Sequence, residues 1–249
     1  MDVMQFTQAL SRIWVLETRL LDKTKVERML EANSADEVLK ILGETEYANI
    51  MGNIKRAADY EEILSTELKR VYKLVYELCP VKEIVDLMST KYKYHNIKVL
   101  LKGKFLEKDL SNMLIDLGRE DLNELKRKID TDNFRDLKGN VEKAVLEVIS
   151  DFEANKDPQK IDIIVDRYMF KELDEIKKSL NYKFTDKLVN AMIDSTNVRT
   201  LLRVKKQGKG REFASEVLVT GGAISKDTLV AIINETPENI ISKLSTSIY

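Results

Sequence analysis

The sequence predicts an all-α protein, and three observations carry that expectation. Its 249 residues include only 9 glycines and 3 prolines, where ordinary composition would give about 30 of the two together. Glycine costs backbone entropy in a helix, and proline removes a donor and clashes with the preceding turn. A chain poor in both and rich in Leu, Lys, Glu and Ile therefore favours helices. Apolar residues also recur at helical spacing over long stretches, and no convincing pair of strands is present.

The elements follow in chain order. Between Tyr60 and Leu78, the residues Ile63, Leu64, Leu68, Val71, Val75 and Leu78 form one stripe on a helix that Pro80 stops. A second stripe runs from Ile84, Leu87 and Met88 to Ile97, Leu100 and Leu101, ending near Gly103, with a new element beyond. Glu120 to Lys126 interleaves carboxylates with apolar and basic residues and reads as a solvated helix face. Two β-branched runs are strand candidates; Ile161–Val165 is read as a helix start and Val217–Val219 as a loop. Gly221-Gly222 forms a turn, and Ser225 caps the helix that follows. Trp14 is read as a core residue in preference to an interface anchor.

Charge and cysteine content exclude several classes. There are 41 Lys and Arg against 42 Asp and Glu, one His and one Cys, for a net charge of -1. A single cysteine forms no internal disulfide and completes no Cys/His zinc site, which makes the cytoplasm the default location. No apolar run approaches the roughly 18 residues of a membrane helix. Met1 opens no charged-then-apolar leader, so neither insertion nor export is expected.

The chain repeats itself. A shift of 101 positions lays Tyr94-His95-Asn96-Ile97-Lys98-Val99-Leu100-Leu101-Lys102 over Ser195-Thr196-Asn197-Val198-Arg199-Thr200-Leu201-Leu202-Arg203. Upstream at the same offset, Val75 meets Ile176, Cys79 meets Leu180 and Leu87 meets Leu188. A second theme recurs three times: Val26-x-x-Met29-Leu30 with Glu37 to Ile41, then Leu110-x-x-Met113-Leu114 with Asp121 to Leu125, then Leu229-x-x-Ile232-Ile233 with Glu238 to Leu244 and Tyr249 in the place of Tyr47. A period near 100 residues means units of several packed helices. The expected units are 1–105, 106–210 and the start of a third, incomplete one at 211–249.

Catalytic chemistry is mostly absent. Gly103-Lys104-Phe105 and Gly208-Lys209-Gly210 lack the upstream glycine and the hydroxyl of a phosphate-cradling loop, so the glycines read as helix-end residues. His95 is replaced by Thr196 in the second copy and reads as a surface or capping side chain. Cys79 maps onto Leu180 and reads as a small core residue. No catalytic, cofactor-binding or metal-ligating residue is assigned, and the chain is not read as an enzyme.

Two features rise above this background. Lys91, His95, Lys98 and Lys102 share a helix face, and Arg199, Arg203 and Lys206 repeat it. Such a stripe suits a helix C-terminus or an anionic protein surface. Nucleic-acid binding is disfavoured because the chain as a whole is not basic and few aromatics interleave. Lys98, Lys102, Arg199 and Arg203 are the candidate partner contacts. Asn96 and Asn197 stand at the same place in both words, where Asn is a poor helix former. Their amides are expected to bond a neighbouring backbone and hold the repeats in register.

These words resemble the repeated signature of the C subunits of V-type and A-type (archaeal-type) proton or sodium ATPases, the equivalents of the d subunit of the vacuolar ATPase. Leu16-Glu17-x-Arg19-Leu20-Leu21, Leu42-x-x-Thr45-x-Tyr47 and Gly221-Gly222-x-Ile224-Ser225 are similar to other stretches of that family. The resemblance implies helical units about a pseudo-threefold axis, funnel-like. It implies a non-catalytic rotor part between the central axle, made of the D and F subunits, and the membrane rotor ring. By the same resemblance the protein is cytoplasmic, peripheral to the membrane, without cofactor and not an obligate homo-oligomer. The family's pattern runs on beyond the third start. A helical-repeat scaffold without rotary role also fits repeated helices, though usually with shorter periods.

Overall fold

In a computed structural model, residues 3–51 and 56–245 are described, and every regular element among them is helical. The sequence expectations at Met1 and Tyr249 lie outside the described residues. The chain divides into two compact units, Asp2–Asp86 with Ile115–Gly118, and Leu87–Leu114 with Arg119–Tyr249.

In the first unit, α1 (Thr7–Glu17), α2 (Lys23–Leu30), α3 (Ala35–Leu42), α4 (Ala48–Met51) and α5 (Tyr60–Leu78) follow one another. Local chemistry sets their starts. Asp22 accepts from the Lys25 N–H at 2.7 Å to cap α2, and Ser34 accepts from Glu37 N–H at 3.2 Å to cap α3. The expected helix Tyr60–Leu78 is present over those residues, with Cys79 extended before Pro80. Of its apolar stripe, Ile63 is buried while Leu64 and Val71 stay exposed. Cys79 is half-buried, its thiol donating to the Val81 carbonyl at 3.1 Å. Leu21, Val38, Leu42, Tyr47, Ile63 and Leu64 border an apolar cleft of about 370 Å³. Trp14 corrects the core reading: it is 65% exposed, and of α1 only Ala9 is buried. Apolar residues around most of a helix do not say which of them meets a neighbour.

The second unit takes most of α6 (Lys82–Phe105), then α7 (Leu122–Asp130), α8 (Gly139–Asn155), α9 (Pro158–Leu180), α10 (Lys183–Lys206), α11 (Arg211–Val217), α12 (Lys226–Ile232) and α13 (Pro237–Ser245). Ile161–Val165 lies inside α9, as read from sequence, and Asp157 with Pro158 opens that helix. Val217 ends α11 and Val219 follows in loop. Ser225 caps α12, accepting from Thr228 N–H at 3.1 Å. One core joins α6, α7, α8 and α9 around Tyr94, Ile129, Val145 and Val165, with Phe105 stacked on Phe152 at 4.4 Å between centroids. A second gathers Leu201, Ala214, Leu229 and Ile240 from α10 to α13, and a third packs α9 on α10 through Leu173 and Ile193.

The two long helices α6 and α10 have 24 residues each and begin 101 residues apart. Their ends use the same backbone device. Lys108 N–H bonds the Gly103 carbonyl at 2.9 Å around a left-handed Glu107, and Lys209 N–H bonds the Val204 carbonyl at 3.2 Å around a left-handed Gly208. Thus α6 continues two residues past Gly103, the expected stop. That glycine serves close approach instead, since a β-carbon there would stand 3.0 Å from the Lys108 carbonyl oxygen. Lys104 donates to the Ile129 carbonyl at 2.9 Å at the end of α7, and Lys205 to the Ile233 carbonyl at 3.1 Å just after α12. The second copy of the short theme differs: Ser111–Met113 forms a single 3-10 turn where α2 and α12 are α-helices. Asp109 takes the Ser111 N–H at 3.0 Å, a local bond that competes with helix formation.

Candidate functional site

The basic word on α6 faces the acidic side of α9. Lys98 Nζ lies 2.7 Å from Asp166 Oδ1, and Lys102 Nζ lies 2.7 Å from Asp162 Oδ2. One turn forward on α6 matches one turn back on α9, so the helices run antiparallel along this pair. Further along, Lys93 pairs with Glu172 and lies 3.2 Å from Glu120. The Tyr94 hydroxyl, on a fully buried side chain, donates to Glu172 at 2.6 Å. Burial works against the charge of Lys93, but the carboxylates of Glu120 and Glu172 outweigh it and raise its pKa. Burial first, and then the charge of Glu172, push the Tyr94 phenol well above the usual tyrosine range.

The matching word on α10 holds a loop. Asn197, 1% exposed, donates from Nδ2 to the Val219 carbonyl at 2.8 Å and accepts the Val219 N–H at 2.9 Å. One turn earlier, the carboxylate of Asp194 accepts the N–H groups of Ala223 at 2.9 Å and Ile224 at 3.1 Å. A β-carbon at Gly222 would stand 2.0 Å from Asp194 Oδ1. The sharp turn between α11 and α12 is thereby pinned to α10 at three backbone positions.

The predicted residues therefore separate. Lys98 and Lys102 are occupied by Asp166 and Asp162. Arg199 and Arg203 are exposed and meet no carboxylate among the described residues. Arg199 folds back on the Ser195 carbonyl at 3.2 Å, and Arg203 borders a groove of about 740 Å³ between α9, α10 and the 213–221 segment. Asn96 is buried on α6. His95 donates from Nε2 to the Met113 carbonyl at 2.9 Å, a tether for the chain after α6. Lys209 sits 3.9 Å from the centre of the Phe213 ring. Sequence reasoning misses Asp162, Asp166, Glu172 and Asp194, and it takes Glu120 as merely solvated. One signal was available: Asp162 and Asp166 repeat the four-residue step of Lys98 and Lys102.

Among the described residues, no group of three or more His, Cys, Asp or Glu could hold a metal ion, and no helix is long and apolar enough to cross a membrane. The arrangement braces α6 against α9 with ion pairs and α10 against the 219–224 turn with hydrogen bonds.

Comparison with known proteins agrees with the resemblance. Residues 9–249 match the ATP synthase (C/AC39) subunit family. The chain is 30% identical over 234 residues to the C subunit of the V-type sodium ATPase of Enterococcus hirae, covering 94% of this chain and 71% of that protein. It is 22% identical to the C subunit of the A-type ATP synthase of Methanocaldococcus jannaschii, over 88% of this chain and 59% of the relative. For the same component of the Pyrococcus abyssi A-type ATP synthase the identity is 24%, over 94% and 65%. The chain thus spans about three fifths to seven tenths of the length of these relatives. With the family's pattern matched from residue 9 onward across both long helix pairs, the chain belongs to the ATP synthase (C/AC39) subunit family.

Proposed function

We propose that the chain is a non-catalytic central-stalk part of a V-type or A-type rotary ATPase, coupling the D and F subunits of the axle to the membrane rotor ring. It does so in ATP-driven proton or sodium transport or in ATP synthesis. Family membership over residues 9–249 carries the reading. The cross-bracing of α6 with α9, and of α10 with the 219–224 turn, supports it, because a coupler must pass strain without yielding and close-packed helices do so. In this reading the protein works in the cytoplasm, bound to the membrane only through the complex. It takes no cofactor or nucleic acid and is not an obligate homo-oligomer.

The units 1–105 and 106–210, with 211–249 as the start of a third, are arranged about a pseudo-threefold axis as a funnel. Asn96 and Asn197 keep the units in register. Arg199 and Arg203 belong to the contact surface, whereas Lys98 and Lys102 contribute by holding α6 to α9.

The test is size-exclusion chromatography with light scattering on the chain mixed with the D and F subunits of the same organism. A stoichiometric complex is expected, weaker at high salt. Separate elution at every salt concentration would overturn the coupler and favour a helical-repeat scaffold.

A further inference from the structure

The segments that follow α6 and α10 are held from the same helix position by opposite chemistry. On α6 the holder is Lys93, whose ammonium pairs with Glu172 of α9 and lies 3.2 Å from Glu120 in the segment between α6 and α7. On α10 the residue 101 positions later is Asp194, a buried carboxylate that accepts the N–H groups of Ala223 and Ile224. We propose that residues 115–120 form a strap that opens as a unit while the helices on either side stay folded, with the Lys93–Glu120 pair as its catch, and that the 219–224 turn has no such freedom.

The two ends of the strap are fixed. Leu114 packs on the core of α6 to α9, with His95 on the Met113 carbonyl just before it, and Asp121 caps α7 by accepting the N–H groups of Asn123 and Glu124. Between them the chain makes no helical turn, and ion pairs hold it. Lys69 of α5 lies 3.4 Å from Asp116 with both partners exposed, a pair of little worth. Lys93 is the stronger hold, its side chain only 16% exposed against 55% for Glu120. On opening, Glu120 passes into water, and Lys93 keeps Glu172, which the Tyr94 hydroxyl also holds at 2.6 Å. No buried charge is left unpaired, which is the loss that makes most buried ion pairs costly to break. Lifting the 219–224 turn does the reverse. It strands the Asp194 carboxylate and the Asn197 amide, both buried, without the backbone groups they bind. Segments of one protein open with different free energies for reasons of this kind. Residues 115–118 group with Asp2–Asp86, whereas Leu114 and Arg119 group with the rest of the chain. An open strap leaves α6, continuous through Asp86 and Leu87, to join the two units. The proposal does not rest on the coupler reading, and its test contains no rotary subunit.

The test places a thiol in each segment of the full chain. Leu117→Cys and Val219→Cys, two half-buried positions, are made separately in a Cys79→Ser background, and each chain is labelled with N-ethylmaleimide, an uncharged reagent. Rates are taken relative to the same chain in concentrated urea. Labelling should be at least about tenfold faster in the Leu117→Cys chain than in the Val219→Cys chain. Adding Glu120→Gln should speed the Leu117→Cys chain about threefold and leave the Val219→Cys chain unchanged. Raising salt from about 0.02 M to about 0.5 M should also speed the Leu117→Cys chain, and by less once Glu120→Gln is present. Equal rates at the two sites, or no effect of Glu120→Gln, would overturn the proposal. So would equal acceleration at both sites, which would mean that the substitution loosens the whole fold. Deuterium uptake of the unsubstituted chain removes any dependence on the cysteines: residues 115–120 should exchange faster than 219–224, and equal uptake would likewise overturn the strap.

Discussion

Asp194 and Gly222 are fitted to each other: a β-carbon on the glycine would lie 2.0 Å from Oδ1 of the carboxylate, which at the same time accepts the N–H groups of Ala223 and Ile224. Gly222→Ala should therefore cost about 3 kcal/mol, because the clash falls on a buried, hydrogen-bonded group with no room to turn away. Asp194→Ala should cost a comparable amount by stranding two N–H groups. The double variant should cost clearly less than the sum, since the removed side chain makes room for the alanine. Urea unfolding of the three variants measures this, and strict additivity would refute the fit.

The α6–α9 ion pairs and the α10 arginines should separate in stability measurements. Lys102→Ala and Asp162→Ala, combined in a double-mutant cycle, should give a coupling of about 0.5–1 kcal/mol that shrinks with salt, as expected for partly exposed pairs. Arg203→Ala should change stability by less than about 0.5 kcal/mol, because its side chain is exposed and makes no ion pair among the described residues. A large loss at Arg203 would place it among the structural residues.

The ends of α6 and α10 offer a reciprocal exchange. Glu107 is left-handed at φ 51° where the corresponding residue is Gly208 at φ 67°. Glu107→Gly should stabilise by about 1 kcal/mol, relieving a conformation that costs an ordinary residue about that much. Gly208→Ala should destabilise by a similar amount through the backbone alone, as no atom lies within 4 Å of an added β-carbon. Thermal melts of both variants read the opposite signs.

Stability should hold a plateau near neutrality and fall on both sides. Lys93 and Tyr94 both have raised pKa values, so their contributions are complete below the ordinary lysine and tyrosine values, near about 10. These contributions are lost as pH rises further. Asp174 is opposed by burial, but hydrogen bonds from Lys177 and Lys178 outweigh it and lower its pKa. Its contribution is complete above the ordinary aspartate value, about 3.9, and is lost as pH falls below it. Denaturant unfolding between acid and alkaline pH tests both arms. Tyr94→Phe should flatten the alkaline one, and an unchanged slope would remove Tyr94 from it.

Most of the helical framework can be read from the residues alone. The stripe and Pro80 delimit α5, Asp157 and Pro158 open α9, and Ser225 caps α12, because caps, proline effects and the i to i−4 ladder act within a few residues. The repeated words also mark α6 and α10 as counterparts, and their asparagines stand out from spacing alone. Only the tertiary structure decided what each side chain meets. It gave the stripe on α6 carboxylates from α9, 60 and 68 residues away, while the same stripe on α10 meets no carboxylate among the described residues. It turned Gly103 from a helix stop into a place of close approach, and it left Trp14 exposed. Helix formation is settled by neighbours along the chain, whereas charge pairing and burial are settled by whichever surface folds opposite, and two nearly identical helical words can therefore meet different fates.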